Sequence, residues 1–307
     1  MRQETEVSAD LGRREALFDR LSQNVSRHFR AQRSQHWRGF VVVGAMVLSA
    51  CAVSPTGRRQ LTVFPEEQMT ALGTQSFESL KNERPVSGDL PSQRLIECIV
   101  EALTRELPSN WQTGWEVVVF EDPSANAFAL PGRKIGVHTG LLEVAETPDQ
   151  LAAVLGHEVA HVMARHGNER LSQQQMARLG LFTATLITDP NTAKGQRTLA
   201  ALGMGAEYGV LLPFSRAHER EADELGLVYM ARAGFDPAQS VTLWENMATQ
   251  STGHRPPEWM STHPSTERRI VDLKAQLPEV LPLYHKAAEP GGKLICQYPG
   301  ERSSRTH

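Results

Sequence analysis

His157-Glu158-Val159-Ala160-His161 sets two imidazoles four residues apart with a carboxylate directly after the first. On an α-helix, residues i and i+4 share a face, so His157 and His161 project together and can share one Zn2+ ion. Glu158 lies beside them, where it can hold and deprotonate a water. The flanking residues supply the helix. Thr147-Pro148-Asp149-Gln150 offers a capping residue, a proline at the first helical position and a glutamine three residues after the cap. Leu151, Val154, Leu155, Val159 and Val162 then recur at helical spacing. Gly156 removes a side chain just before the first histidine, which lets another element approach closely.

A catalytic zinc usually takes three protein ligands and leaves one position for water. The H-E-x-x-H-x-x-G-x-x-H arrangement is excluded, because Ala164 stands at its glycine and Gly167 at its third histidine. His166 is one residue short and turns away from the His157/His161 face. A better third ligand lies in Ser215-Arg216-Ala217-His218-Glu219-Arg220-Glu221-Ala222-Asp223. Glu219 and Asp223 share a helix face, with Glu221 nearly opposite. Glu219 can bind the metal, while Asp223, one turn on, can orient a ligand histidine or donate a proton. Taken alone, these acids read as a solvated helix face; paired with His157 and His161 they read as ligands.

These motifs resemble those of the glutamate-ligand zincins of metallopeptidase family forty-eight, the CaaX prenyl endopeptidase-like zinc peptidases, and in particular its bacterial periplasmic lipoprotein branch. Asn126-Ala127-Phe128-Ala129-Leu130-Pro131-Gly132 with Ile135-Gly136-Val137 is similar to the family's strand region, and Thr262-His263-Pro264 with Arg269-Ile270 to a later segment. The resemblance covers about residues 56 to 275. It implies one Zn2+ per chain held by His157, His161 and Glu219, with Glu158 as the base and Asp223 as a proton donor. It also implies that Lys134, Ile135, Gly136, Val137 and His138 form the strand that pairs with substrate, and that His263 is a candidate latency switch at the metal's fourth position. Arg269 and His263 are both candidates for stabilising the oxyanion. Arg133 and His138 depart from the family pattern, where a second glycine and an aromatic residue are common; both departures bear on specificity.

Basic residues (Arg33, His36, Arg38) precede an apolar stretch from Phe40 to Leu48, which ends in Leu48-Ser49-Ala50-Cys51. This is the order of a secretory signal, and its ending resembles a bacterial lipobox that would leave Cys51 lipidated. The apolar run falls short of the ~20 residues that span a bilayer. Ala52, rather than aspartate, after the cysteine points to the periplasmic side of the outer membrane. Export permits a disulfide, and Cys98 and Cys296 are the remaining pair.

The chain has 307 residues, 40% hydrophobic and 22% charged, with a net charge of −3. That composition suits a globular protein and carries no basic footprint for nucleic acid. Helices are expected over 92–107, 169–188, 199–212, 217–233 and 236–249, and strands over 115–120 and 134–139. The expected fold is α+β and mostly α-helical: a zincin-type domain with a small β-sheet beside the H-E-x-x-H helix. Four segments follow: a cleaved signal region at 1–50 with a long amino-terminal extension, a lipid-anchored tether and entry to the domain at 51–90, the metallopeptidase domain at 91–285, and a polar tail at 286–307. The function so indicated is a zinc endopeptidase of the cell envelope that degrades misfolded or misassembled proteins. Its partners would be unfolded envelope polypeptides, the membrane through the lipid, and the outer-membrane assembly machinery. The competing readings are a lipoprotein chaperone that uses the same groove with little proteolysis, an integral-membrane prenyl-protein endopeptidase, and a zinc hydrolase acting on another bond.

Overall fold

Thr147 is extended and its side chain accepts the Gln150 N–H, so the helix carrying the two histidines starts at Pro148 and runs to Met163. The remainder of the fold surrounds this helix. A computed structural model describes residues 51–187, 192, 214–250, 263, 267–287 and 296. The chain divides into Met1–Ala52 and Val53–His307, and the second unit carries the site. In chain order the elements are strands β1 (Cys51–Val53) and β2 (Arg59–Leu61), helices α1 (Glu66–Glu83) and α2 (Leu90–Arg105), strands β3 (Glu116–Phe120), β4 (Ala127–Leu130) and β5 (Lys134–His138), and helices α3 (Leu141–Val144), α4 (Pro148–Met163), α5 (His166–Ile187), α6 (Arg216–Arg232), α7 (Gln239–Gln250) and α8 (Glu267–Ala287).

The fold is mostly helical with small sheets, as its residue patterns indicate. Leu151, Val154, Leu155 and Val159 of α4 are fully buried, as are Ile96, Ile99 and Leu103 of α2. Helix α6 crosses α4 where two glycines meet. A Cβ on Gly156 would come within 3.1 Å of the Gly226 carbonyl oxygen, and one on Gly226 within 3.0 Å of the His157 amide nitrogen. The close approach anticipated at Gly156 is therefore to a helix that begins far downstream in the sequence. A side chain at either position would press on the backbone of the other helix, which must then yield by a few tenths of an ångström.

The main sheet has the order β3-β5-β4. Strand β5 runs parallel to β3, with Val118 opposite Gly136, and antiparallel to β4, with Phe128 opposite Gly136. This corrects the assignment of Lys134, Ile135, Gly136, Val137 and His138 as the substrate strand. Both sides of β5 are already paired, so it has no edge to offer. The strand that borders the site is β4. The His138 N–H donates to the Asn126 carbonyl, so the alternation of an antiparallel ladder turns the polar groups of Asn126, Phe128 and Leu130 toward β5 and those of Ala127 and Ala129 outward.

Helix α1 buries Met69 and Phe77, and the Phe77 ring meets Phe120 of β3 edge-on at 6.2 Å. Helix α5 starts at His166, earlier than its apolar pattern suggests. Cys98 of α2 is joined to Cys296 by a disulfide, with 5.8 Å between their Cα atoms. Among the described residues no helix is long and apolar enough to cross a membrane. The signal region at 1–50, the helix expected over 199–212 and most of the tail at 286–307 lie outside the described residues, as does the Cys51 side chain.

Candidate metal centre

Helix α4 supplies His157, Glu158 and His161; α6 supplies Glu219 and Asp223; α8 supplies Arg269. The start of α6 is fixed by Ser215, whose hydroxyl accepts the His218 N–H. His157, His161, Glu219 and His263 each offer one donor atom within 4.8 Å of the others, and all four are buried. His157 Nε2 lies 3.0 Å from His161 Nε2, 3.2 Å from His263 Nδ1 and 3.4 Å from Glu219 Oε2. Glu219 Oε1 lies 3.5 Å from His161 Nε2 and 3.0 Å from His263 Nδ1.

These separations suit a cation. Donors bound at about 2.0–2.1 Å in tetrahedral geometry stand about 3.3–3.4 Å apart. The donor set, imidazole nitrogens with one carboxylate, is also the chemistry that zinc accepts. Three imidazole nitrogens, from His157, His161 and His263, converge on the Glu219 carboxylate, an arrangement that suits a shared cation.

Glu158 stands beside this cluster. Its Oε2 accepts the Ala129 N–H of β4 at 3.1 Å, and its Oε1 lies 3.5 Å from His263 Nε2. The outward edge of β4 thus touches the residue expected to be the base. Next to Ala129 and His161 is a cavity of about 40 Å³ with a mixed lining, apolar at Met69, Pro131, Val162 and Phe214 and polar at Glu66, Arg165 and Asn168.

Asp223 Oδ1 lies 2.9 Å from His157 Nδ1, on the ring's far side from the donor cluster. Arg269 donates to Glu219 Oε2 at 2.8 Å and to Asp223 Oδ1 at 2.6 Å. Its guanidinium lies 4.1 Å from the Trp244 ring centre. It braces two carboxylates, a different position from the oxyanion role expected for it. Burial works to raise the Glu219 carboxyl, but hydrogen bonds from His157, His161 and His263 hold it well below the usual carboxylate range. Asp223 is likewise held low, the Arg269 charge and His157 outweighing burial. Burial and the Arg269 charge push His157 down, yet Asp223 and Glu219 raise it to about 9. Burial dominates at His161 and pushes it well below 6.5. The pocket therefore attracts positive charge while keeping His161 neutral, the form that binds metal.

His166 and Glu221 both lie outside the donor group, yet neither is idle: His166 Nδ1 lies 3.0 Å from His161 Nδ1, and Glu221, on the helix face away from Glu219, is buried and meets His166 Nε2. The helix ends at Met163 and Arg165 takes φ 55°, so the face on which His166 falls does not follow from the spacing of α4.

A helix bearing two histidines and an adjacent glutamate, met by a glutamate from a second helix, defines a zincin-like site. The chain belongs to Peptidase family M48, whose sequence profile matches residues 91–277. It is 42% identical to the mitochondrial metalloendopeptidase OMA1 of Schizosaccharomyces pombe over 166 residues, 54% of this chain and 47% of that protein. It is 33% identical to the mitochondrial metalloendopeptidase OMA1 of Bos taurus over 250 residues, 75% of this chain and 46% of that protein. It is 28% identical to the Beta-barrel assembly-enhancing protease of Escherichia coli over 234 residues, 75% of this chain and 47% of that protein. The chain thus spans about half the length of these relatives.

Proposed function

We propose that the protein is a zinc-dependent endopeptidase of the bacterial cell envelope that cleaves misfolded or misassembled polypeptides. The observation that carries the chemistry is the convergence of His157, His161 and Glu219 at metal-binding separations with Glu158 beside them. When bound, zinc supplies a Lewis acid that polarises a carbonyl and makes water a nucleophile near neutral pH. Glu158 takes the proton of the attacking water on its carboxylate and returns it to the departing amine. Asp223 holds the His157 ring through Nδ1, a positioning role more than a proton-donating one.

The outward-facing groups of Ala127 and Ala129 bind the substrate main chain as an added strand. Backbone pairing of this kind tolerates varied side chains, which suits a quality-control enzyme. The cavity beside Ala129 takes one modest side chain. His263, at the fourth corner of the donor set, keeps the enzyme latent until it is displaced. Lipidation at Cys51 tethers the protein to the periplasmic side of the outer membrane. Leu48-Ser49-Ala50-Cys51 supports this location, as does the name of the E. coli relative; the OMA1 relatives are named as mitochondrial.

Glu158→Gln should keep its metal, measured by elemental analysis, and lose casein cleavage by about a hundredfold or more. Undiminished cleavage would refute the role of Glu158, and absence of cleavage by the wild type at any metal load would favour the chaperone reading. His263→Ala should raise basal proteolysis, on the order of tenfold where the displaced form is about a tenth of the population. Mass spectrometry of the mature amino terminus tests the lipid.

A further inference from the structure

Behind His161 lies a polar network outside the donor set, buried at His166, His218, Glu169 and Glu221 and reaching solvent at Thr56 and Arg58. His166 is fully buried. Its Nδ1 meets His161 Nδ1 at 3.0 Å, and its Nε2 meets Glu221 Oε2 at 3.1 Å. Glu221 in turn accepts the Thr56 hydroxyl at 2.6 Å and Arg58 Nε at 2.8 Å. The same Arg58 grips both oxygens of Glu169, at 2.9 and 2.6 Å. His218 meets Glu169 at 3.0 Å and stacks on His166, with ring centres 4.5 Å apart. Thr56 and Arg58 come from the tight turn between β1 and β2, closed by hydrogen bonds between Ser54 and both Gly57 and Arg58.

Hydrogen-bond direction along this chain is determined. A carboxylate only accepts, so the proton between Glu221 and His166 sits on His166 Nε2. Between the two Nδ1 atoms there is room for one proton. If His161 presents Nε2 to the metal, as the reading above requires, its own proton is on Nδ1 and is donated to His166. The carboxylate at one end thereby selects the tautomer of the ligand at the other.

We propose that His166 is a positioning residue for His161, and that the Thr56–Arg58 turn is a structural part of the metal centre because it holds Glu221, and through it His166, in place. This inference rests on the metallopeptidase reading. It assigns a role to residues far in sequence from either metal-binding helix, and makes the site dependent on the segment just after Cys51. Outer partners of this kind usually change metal affinity by about 10–100-fold when removed.

The test uses the full chain and reads metal directly. Co2+ and Zn2+ affinities are measured by chelator competition, with the visible spectrum of the Co2+ form as a report on ligand geometry. His166→Leu should weaken both metals about 10–100-fold and shift the Co2+ bands. His166→Gln, whose amide can accept from His161 and donate to Glu221, should restore most of the affinity and the original bands. Arg58→Met should produce a smaller loss in the same direction. If His166→Leu fails to fold, Glu221→Gln replaces it and should give the same loss and band shift. Folded variants with wild-type affinity and spectrum would overturn the proposal while leaving the peptidase reading standing. Failure of the wild type to take up either metal would overturn both.

Discussion

The two histidines of α4 face the same donor cluster, yet they are braced from behind by different chemistry. His157 Nδ1 meets a carboxylate directly, Asp223, which Arg269 holds at 2.6 Å. His161 Nδ1 meets a second imidazole, and the carboxylate, Glu221, stands one ring further out with Arg58 behind it. Each flank thus ends in a carboxylate and an arginine, but only one places its negative charge against the ligand. Coulomb attraction falls with distance, so the His157 flank contributes directly to the pocket's hold on a cation. The His161 flank acts chiefly through orientation and tautomer. Similar residue types therefore perform unequal work according to how many rings separate charge from metal.

Substitution on the two sides should expose that inequality. Asp223→Ala is expected to have the largest effect. It removes the carboxylate at His157 Nδ1 and one of the two carboxylates that Arg269 grips in a buried site, a loss of about 3–5 kcal/mol in stability. Urea unfolding of the metal-free protein measures this loss, and metal affinity should fall further than in His166→Leu. Equal losses on the two sides would break the comparison.

Arg58→Met should be milder, and pH should reveal it. Burial pushes the Glu169 carboxyl up, but His218 and Arg58 outweigh it and bring it down to about 2. Its ordinary value is 4.5. A carboxylate depressed in the folded state stabilises the fold fully above its unfolded value, and that stability is lost as pH falls toward the folded one. Wild type should therefore exceed Arg58→Met in stability above about pH 4.5, with the gap closing as pH falls toward 2. A gap that widens on acidification would show that Arg58 acts elsewhere.

Thr147→Ala should be the smallest change and should sharpen the comparison by sparing it. Losing the cap of α4 costs about 1 kcal/mol, but both histidines ride on that helix. Melting temperature should drop, while the relative effects of Asp223→Ala and His166→Leu remain as they were.

Much of the donor set is legible along the chain because a helix relates residues four apart whatever surrounds it. That covers the pairing of His157 with His161, the cap at Thr147, and the shared face of Glu219 and Asp223. Helical extrapolation misleads once the helix stops. His166 lies beyond Met163 and past Arg165 at φ 55°, and so it swings back under His161. Arg58 carries no signal at all, since its meaning comes from Glu169 and Glu221, more than a hundred residues away.

The strands divide in the same way. Lys134–His138 reads as a strand from its residues and is expected to pair with a peptide, whereas Ala127–Leu130 is marked as strand only through the family resemblance. Which of them is an edge depends on β3 taking the other side of β5, a contact that no local pattern encodes. Short-range spacing and residue chemistry determine the helix that sets His157, Glu158 and His161 side by side and the shared face of Glu219 and Asp223. The packed fold alone selects the open strand, brings His263 to the fourth corner and assigns each histidine its brace, because those relations arise between segments that meet only when the chain is folded.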